Sequence, residues 1–128
     1  NLEEDVILKS DTKTQQKWFE LKEKLLNFEN TEMVVGKGYI KFTKNGKGVC
    51  YFNFRKNFFN GEIIRGNIKV DGSKSKGFFK IDDPKNIVRE RDFEWKSGDK
   101  GCRYIFDIKS DIDLDYIEML IKQKYKNM

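Results

Sequence analysis

Tight-turn signals between apolar segments constrain this fold more than any other feature. Asn45-Gly46 separates two short segments of alternating apolar and polar residues, and Asn-Gly is the strongest local signal for a two-residue hairpin. Asn60-Gly61 indicates a second turn in the same region. Strands that are joined by such short turns run antiparallel. The predicted strands are 31–35, 39–43, 49–54, 63–70 and 102–108.

Helical periodicity lies on both sides of the predicted strands. Capping-box patterns begin at Thr12 and at Ser110, and apolar residues follow each of them at helical spacing. They predict helices near 13–27 and 111–125. Helices at the two ends of an antiparallel sheet cover one of its faces. We therefore predict an α+β fold, with an antiparallel β-sheet, N- and C-terminal helices packed on one face, and the other face open to solvent or a partner.

The segment before the last strand is predicted from its helix-capping and turn-forming residues. Asp83-Pro84 is a helix start, since Asp can cap free N–H groups and Pro suits the first helical position. This predicts a short helix over 84–90. Residues 91–100 are charged and include Ser97, Gly98 and Asp99, which is typical of a loop.

The length of 128 residues predicts one domain, over 11–128. Residues 1–10 are interpreted as a linker or an added strand. The chain begins at Asn1 without an initiator Met, so we expect a C-terminal fragment of a longer protein. Cys50 and Cys102, the only cysteines, lie on the inward phase of predicted strands. Two buried free thiols favour a cytoplasmic chain, and no apolar run is long enough to span a membrane.

Several kinds of chemistry are excluded by composition. The chain has no His, so catalytic triads and the common His metal sites cannot form. Two distant cysteines do not make a zinc site, and no nucleotide-binding motif is present. We predict no catalytic residue, no metal and no cofactor, and hence not an enzyme.

The C-terminal third carries a recognisable series of residues: Asp82-Asp83-Pro84-Lys85, Arg89, Trp95, Gly98-Asp99, Ser110, Asp113-Leu114-Asp115-Tyr116, Leu120-Ile121, Gln123 and Tyr125. This series resembles the end of a bacterial and archaeal domain family of unknown function, some of whose members are labelled "predicted transport protein". Many members have a His before the Trp, where this chain has Glu94. In longer members the domain is similar to a C-terminal module behind a restriction-type nuclease. The resemblance implies a fold and a nuclease neighbour, and no catalytic residues.

A metal-dependent nuclease is one alternative. Such enzymes hold a metal with an acidic residue and an acid-x-Lys pair, because phosphodiester hydrolysis needs carboxylates for the metal and a cation for the charged transition state. Asp83 with Glu94 and Lys96 has this order. The acid-x-Lys pattern occurs at Asp11, Glu20, Asp83, Glu94 and Asp107, which is about the frequency that chance gives in so charged a chain.

A nucleic-acid face is a second hypothesis. Lys41, Arg65, Lys69 and Arg103 fall on the polar phase of the predicted strands, and Tyr39 and Tyr51 share that phase. Cations neutralise phosphates and aromatic faces stack on bases. The net charge of +5 permits such binding. The alternative is an ordinary solvated face in a Lys-rich chain.

Three aromatic residues have two interpretations each. Trp95 either packs against the core beside the final helix or lines a pocket for a small ligand. Phe58 and Phe59 are adjacent in a predicted loop, so one of them is a possible docking residue for another domain, unless a helix covers both.

The sequence thus predicts a non-catalytic accessory module of a nuclease or defence-type protein. Its partner would be nucleic acid or a nuclease domain of the same chain, with no membrane involved. A metal-dependent nuclease and a small-ligand-binding domain are the alternatives.

Overall fold

A computed structural model describes all residues, 1–128. It contains one six-stranded sheet with the order β1-β2-β3-β4-β6-β5, in which every neighbouring pair is antiparallel. Helices from both ends of the chain pack on one face, so the predicted α+β class is confirmed. The elements are α1 (Glu3–Ile7), α2 (Thr12–Leu26), β1 (Thr31–Val35), β2 (Ile40–Lys44), β3 (Lys47–Phe54), β4 (Phe58–Ile68), β5 (Arg89–Glu94), β6 (Lys100–Lys109) and α3 (Leu114–Lys126).

The β2–β3 hairpin forms where the sequence predicts it. Asn45 and Gly46 have φ values of 51° and 79°, which are the positive values that a two-residue turn between twisted strands requires. The second expected turn, at Asn60-Gly61, is wrong, because both residues lie inside β4. Gly61 is needed there for space: a Cβ on it would lie 2.5 Å from the Phe106 ring of β6.

The core lies between the sheet and the two long helices. Trp18 of α2 is fully buried, and its ring meets Phe52, Phe54 and Phe59 edge-to-face at centroid distances of 5.2, 5.1 and 5.8 Å. Such aromatic pairs add stability beyond the area that they bury. Apolar residues of α3, with Ile117 and Leu120 fully buried, cover the rest of this face.

Both long helices start one to three residues away from the predicted caps. Asp11, not Thr12, caps α2 by accepting from the Thr14 N–H at 2.8 Å. Asp113, not Ser110, caps α3. The first ten residues hold α1 instead of a linker or an added strand, because Val6 and Ile7 bury their side chains in the core.

The segment 84–94 differs most from expectation. No helix forms at Pro84, because the Asp83 carboxylate accepts from the N–H of Val88, and Asn86 adopts a positive φ of 53°. These contacts fold residues 83–88 into a loop. The expected loop at 91–100 is also wrong in its first half, since Arg89–Glu94 form edge strand β5 by pairing with β6.

A β-bulge at Arg65 changes the phase of β4. Ile64 pairs with Arg103 and Gly66 pairs with Cys102, so Arg65 is the extra residue of the strand. Residues after the bulge therefore point to the opposite face from the one that simple alternation gives.

None of the helices is long and apolar enough to cross a membrane.

Candidate functional site on the open face of the sheet

The face of the sheet opposite α2 and α3 is uncovered, and we call it the open face. One register row across it contains Lys41, Tyr51, Glu62, Ile105 and Arg89, in the order β2-β3-β4-β6-β5. Side chains alternate along each strand, so these residues share one side of the sheet. Charged and aromatic groups therefore lie next to each other across five strands.

A cation stacked on two rings marks the centre of this face. The Arg103 guanidinium lies 4.8 Å from the centroid of the Tyr51 ring and 5.4 Å from that of Phe93. Lys41 Nζ lies 6.0 Å from the Tyr51 ring, and Tyr39 meets Tyr51 at 5.8 Å. Arginine over an aromatic face is a stable arrangement that still leaves its N–H donors available.

Two further aromatic rings extend the open face to its edge. Phe93 and Trp95 meet edge-to-face at 5.0 Å above Gly101, which has no side chain to occupy that space. They are 38% and 44% exposed. The interpretation that Trp95 packs in the core is therefore wrong. The chain places it beyond the end of β5, on the side of the sheet that no helix covers.

Strand β5 separates charge between the two sides of the sheet. Arg89, Arg91 and Phe93 pair with open-face positions of β6, whereas the acidic residues Glu90, Asp92 and Glu94 pair with positions on the helix side. The sequence Arg-Glu-Arg-Asp-Phe-Glu thus becomes a basic and aromatic row on one side and an acidic row on the other. The sequence prediction missed this arrangement, since it assigned residues 89–90 to a short helix and 91–94 to a loop.

Two carboxylates moderate the basic charge. Asp107 accepts from Asn60 at 2.6 Å and from Arg89 at 3.3 Å. Glu62 accepts from Asn53 at 3.3 Å and lies 4.0 Å from Arg91. Both ion pairs are long, and their arginine side chains are 57% and 68% exposed, so the pairs contribute little free energy. The guanidinium groups of Arg89 and Arg91 therefore stay accessible from solvent.

Four of the six predicted nucleic-acid-binding residues lie together on the open face: Tyr39, Lys41, Tyr51 and Arg103. Arg65 does not, because it lies two residues after Ile63, which is buried on the helix side, and strand alternation puts both side chains on that side. There it stacks on Phe78 and Tyr104 at 4.5 and 5.0 Å, and pairs with Glu90 at 3.1 Å. Its side chain is only 18% exposed.

Lys69 is also separate from the other predicted cations. It lies beyond the end of β4, with its Nζ 3.7 Å from Asp99. The expectation that Arg65 and Lys69 share the outward, polar phase of strand 63–70 is therefore wrong for Arg65, and Lys69 lies outside the strand.

The two adjacent phenylalanines begin β4 and therefore point to opposite sides. Phe59 is fully buried and stacks on Phe54 at 5.2 Å. Phe58 is half-buried on the open-face phase, opposite Lys109 of β6. Strand alternation explains why only one of them reaches the core, and Phe58 is the one that could contact a partner.

The residues of the nuclease alternative are not brought together. Asp83 accepts from Val88, which immediately precedes β5, whereas Glu94 is at the far end of that strand, roughly 20 Å away at the usual rise per residue. The Asp83 carboxylate also accepts from the Tyr116 hydroxyl. No group of three or more acidic or Cys side chains is arranged to hold a metal ion.

The shifted pKa values have structural causes. Burial raises the pKa of the Cys50 thiol, and burial together with Asp92 raises that of Cys102 to about 11. Both cysteines are free, and neither is an activated thiolate near neutral pH. At Asp83, desolvation opposes ionisation, but hydrogen bonds from Tyr116 and from the Val88 N–H outweigh it and lower the pKa. The hydrogen bonds to the Asp83 carboxylate thus stabilise the loop before β5.

Comparison of the chain with protein-family models, curated proteins and solved structures gives no significant match. The family resemblance of the C-terminal third stays a prediction.

Proposed function

We propose that this chain is a non-catalytic accessory module whose open face binds single-stranded nucleic acid. The observation that carries the proposal is the arrangement of β5 beside β6. It puts Arg89, Arg91 and Phe93 next to Arg103 and excludes the acidic residues of the same strand from that face. The resemblance of the C-terminal third suggests that the module works beside a nuclease domain of the same protein.

Single-stranded binding matches the chemistry of the open face. Lys and Arg neutralise phosphates, and exposed aromatic rings stack on bases of any sequence. Antiparallel sheets bind unpaired bases in this way in several RNA-binding folds. The open face supplies both groups, with Tyr51, Phe93 and Trp95 as platforms and Lys41, Arg91 and Arg103 as cations. The bases of a double-stranded nucleic acid are stacked inside the double helix, so they would not reach these rings.

A matched pair of double variants tests the proposal. Lys41→Ala with Arg103→Ala removes two open-face cations, whereas Lys122→Ala with Lys126→Ala removes two exposed cations from α3. Affinity for a labelled single-stranded oligonucleotide is measured by fluorescence anisotropy over a range of salt. The open-face variant should bind more weakly, with a salt slope reduced by about 1.4, since each contact to a single strand contributes about 0.7. The α3 variant should bind as the wild type does.

Docking of a neighbouring protein domain is the second candidate function. The exposed pair Phe93 and Trp95 at the edge of the sheet favours it, because exposed aromatic groups also anchor protein interfaces. Absence of binding to any oligonucleotide at low salt would overturn the nucleic-acid proposal. It would leave docking, through these two rings and Phe58, as the function to test.

A further inference from the structure

A polar depression lies on the open face, across β3, β4, β6 and β5. Its volume is about 410 Å³, which is within the range of small-ligand sites. Asn53, Asn60, Glu62, Arg89, Arg91 and Ile105 line it. Ile105 provides an apolar surface among polar groups, and such a combination suits a flat heterocycle with polar edges.

Glu62 is the unusual residue of this depression. Its side chain is only 16% exposed, on a face that is otherwise suited to a polyanion. Its carboxylate has one hydrogen bond, from Asn53 at 3.3 Å, and its ion pair with Arg91 is 4.0 Å long. A carboxylate offers about four acceptor positions, so most of them are unused. Asp107, by contrast, has a short bond of 2.6 Å from Asn60.

The donors and acceptors of Glu62 and Asn53 match the edge of one base better than those of the others. The two oxygens of Glu62 are acceptors, and the adjacent Asn53 amide has a second N–H besides the one given to Glu62. This order of acceptor, acceptor and donor complements the Watson–Crick edge of guanine, where N2–H and N1–H donate and O6 accepts. Adenine, cytosine and uracil each place an acceptor against a carboxylate oxygen at one of the two positions.

We propose that the depression beside Glu62 is a guanine subsite, in which Glu62 and Asn53 recognise the Watson–Crick edge of an unpaired base. The proposal rests on the nucleic-acid function of the open face and makes it selective. Tyr51 lies directly opposite Glu62 on β3, two residues before Asn53. An aromatic ring for the neighbouring base is thus next to the subsite.

The test uses four uridine-rich heptanucleotides that differ only at the central base. The chain should bind the guanine-centred oligonucleotide about tenfold more tightly than the others, which is the usual discrimination from a bidentate base contact. Inosine lacks the N2 amino group and should lose much of this preference. 7-Deazaguanine keeps the Watson–Crick edge and should bind as guanine does.

Glu62→Gln tests the assigned residue while keeping its shape. The preference should fall to within about twofold, because the amide replaces one acceptor by a donor. The uracil-centred oligonucleotide should bind more tightly to Glu62→Gln than to the wild type, because the substitution removes a negative charge that repels the phosphates. Glu32→Gln makes the same chemical change at an exposed position of β1 and should retain the guanine preference. Equal melting temperatures would exclude a folding defect.

The outcomes separate the two proposals. Equal binding of all four oligonucleotides overturns the guanine subsite and leaves the nucleic-acid function standing. A guanine preference that survives in Glu62→Gln overturns the assignment to Glu62. Absence of binding to every oligonucleotide at low salt overturns the nucleic-acid function itself, and the subsite with it.

Discussion

The two faces of the sheet differ in what their aromatic residues do. On the helix side, Trp18 is fully buried among phenylalanine rings. On the open face, Trp95 is 44% exposed and lies against the Phe93 ring and the surface of Gly101. The same residue type thus stabilises the fold on one side and is available to a ligand on the other. Changes on the two faces should therefore separate stability from binding.

The largest expected effect comes from the buried tryptophan. Trp18→Ala should lower the free energy of unfolding by about 3–5 kcal/mol, since it leaves a cavity among aromatic rings. Trp95→Ala should lower it by less than about 1 kcal/mol, because its side chain is largely solvated. Urea denaturation measures both. Similar losses in the two variants would contradict the division between the faces.

Two glycines, one against each face of the sheet, test the same difference. Gly61→Ala places a Cβ 2.5 Å from the buried Phe106 ring, and should cost about 1–3 kcal/mol by overpacking. Gly101→Ala places one 2.6 Å from Phe93, whose exposed ring can move away. We expect a cost of under about 1 kcal/mol there, measured by thermal denaturation. A larger loss at Gly101 would mean that Phe93 and Trp95 are held rigidly.

The binding role of the open face predicts a further effect at Trp95. Trp95→Ala should weaken binding of a single-stranded oligonucleotide by about 1–3 kcal/mol, the usual contribution of one stacked base. Trp95→Phe keeps an aromatic face and should recover most of the affinity. Anisotropy titration at fixed low salt measures this. Unchanged binding in Trp95→Ala would remove this ring from the proposed interface.

A smaller effect concerns the loop that precedes β5. The folded-state pKa of Asp83 is lowered, so its contribution to stability is present above its unfolded pKa of about 3.8 and is lost as pH falls through the folded value. Asp83→Asn should cost about 1 kcal/mol at neutral pH and flatten the acid limb of a stability curve below pH 4. An unchanged acid limb would show that other carboxylates dominate it.

No effect is expected in a cleavage assay. The chain with magnesium should leave single- and double-stranded DNA and RNA intact, since its acidic residues form no group that could hold a metal. The assay follows end-labelled substrates over hours. Cleavage that Glu94→Ala or Asp83→Ala abolishes would establish the nuclease alternative instead.

The local features of this protein are encoded in short stretches of its sequence. The Asn45-Gly46 turn, the alternation of β2, β3 and β6, and the periodicity of α2 and α3 depend on neighbouring residues, so they can be predicted without a structure. They were sufficient for the α+β class and for four of the six predicted face residues. Tyr51 and Arg103 belong to regular parts of their strands, and alternation places them correctly.

Other features depend on partners that are far away along the chain, and these follow from the fold and not from local sequence. Residues 89–94 have no apolar alternation, and they become a strand because β6 offers them free backbone groups at its edge. Ile63 and Ile64 are adjacent and equally apolar, so the sequence does not show which of them faces the core; the fold buries Ile63, and Arg65 therefore shares the helix side with it. The two rings and the carboxylate that surround the Arg65 guanidinium come from three separate segments, at Phe78, Tyr104 and Glu90. Pairing across the sheet, rather than the order of residues along the chain, settled which cations lie together on the open face.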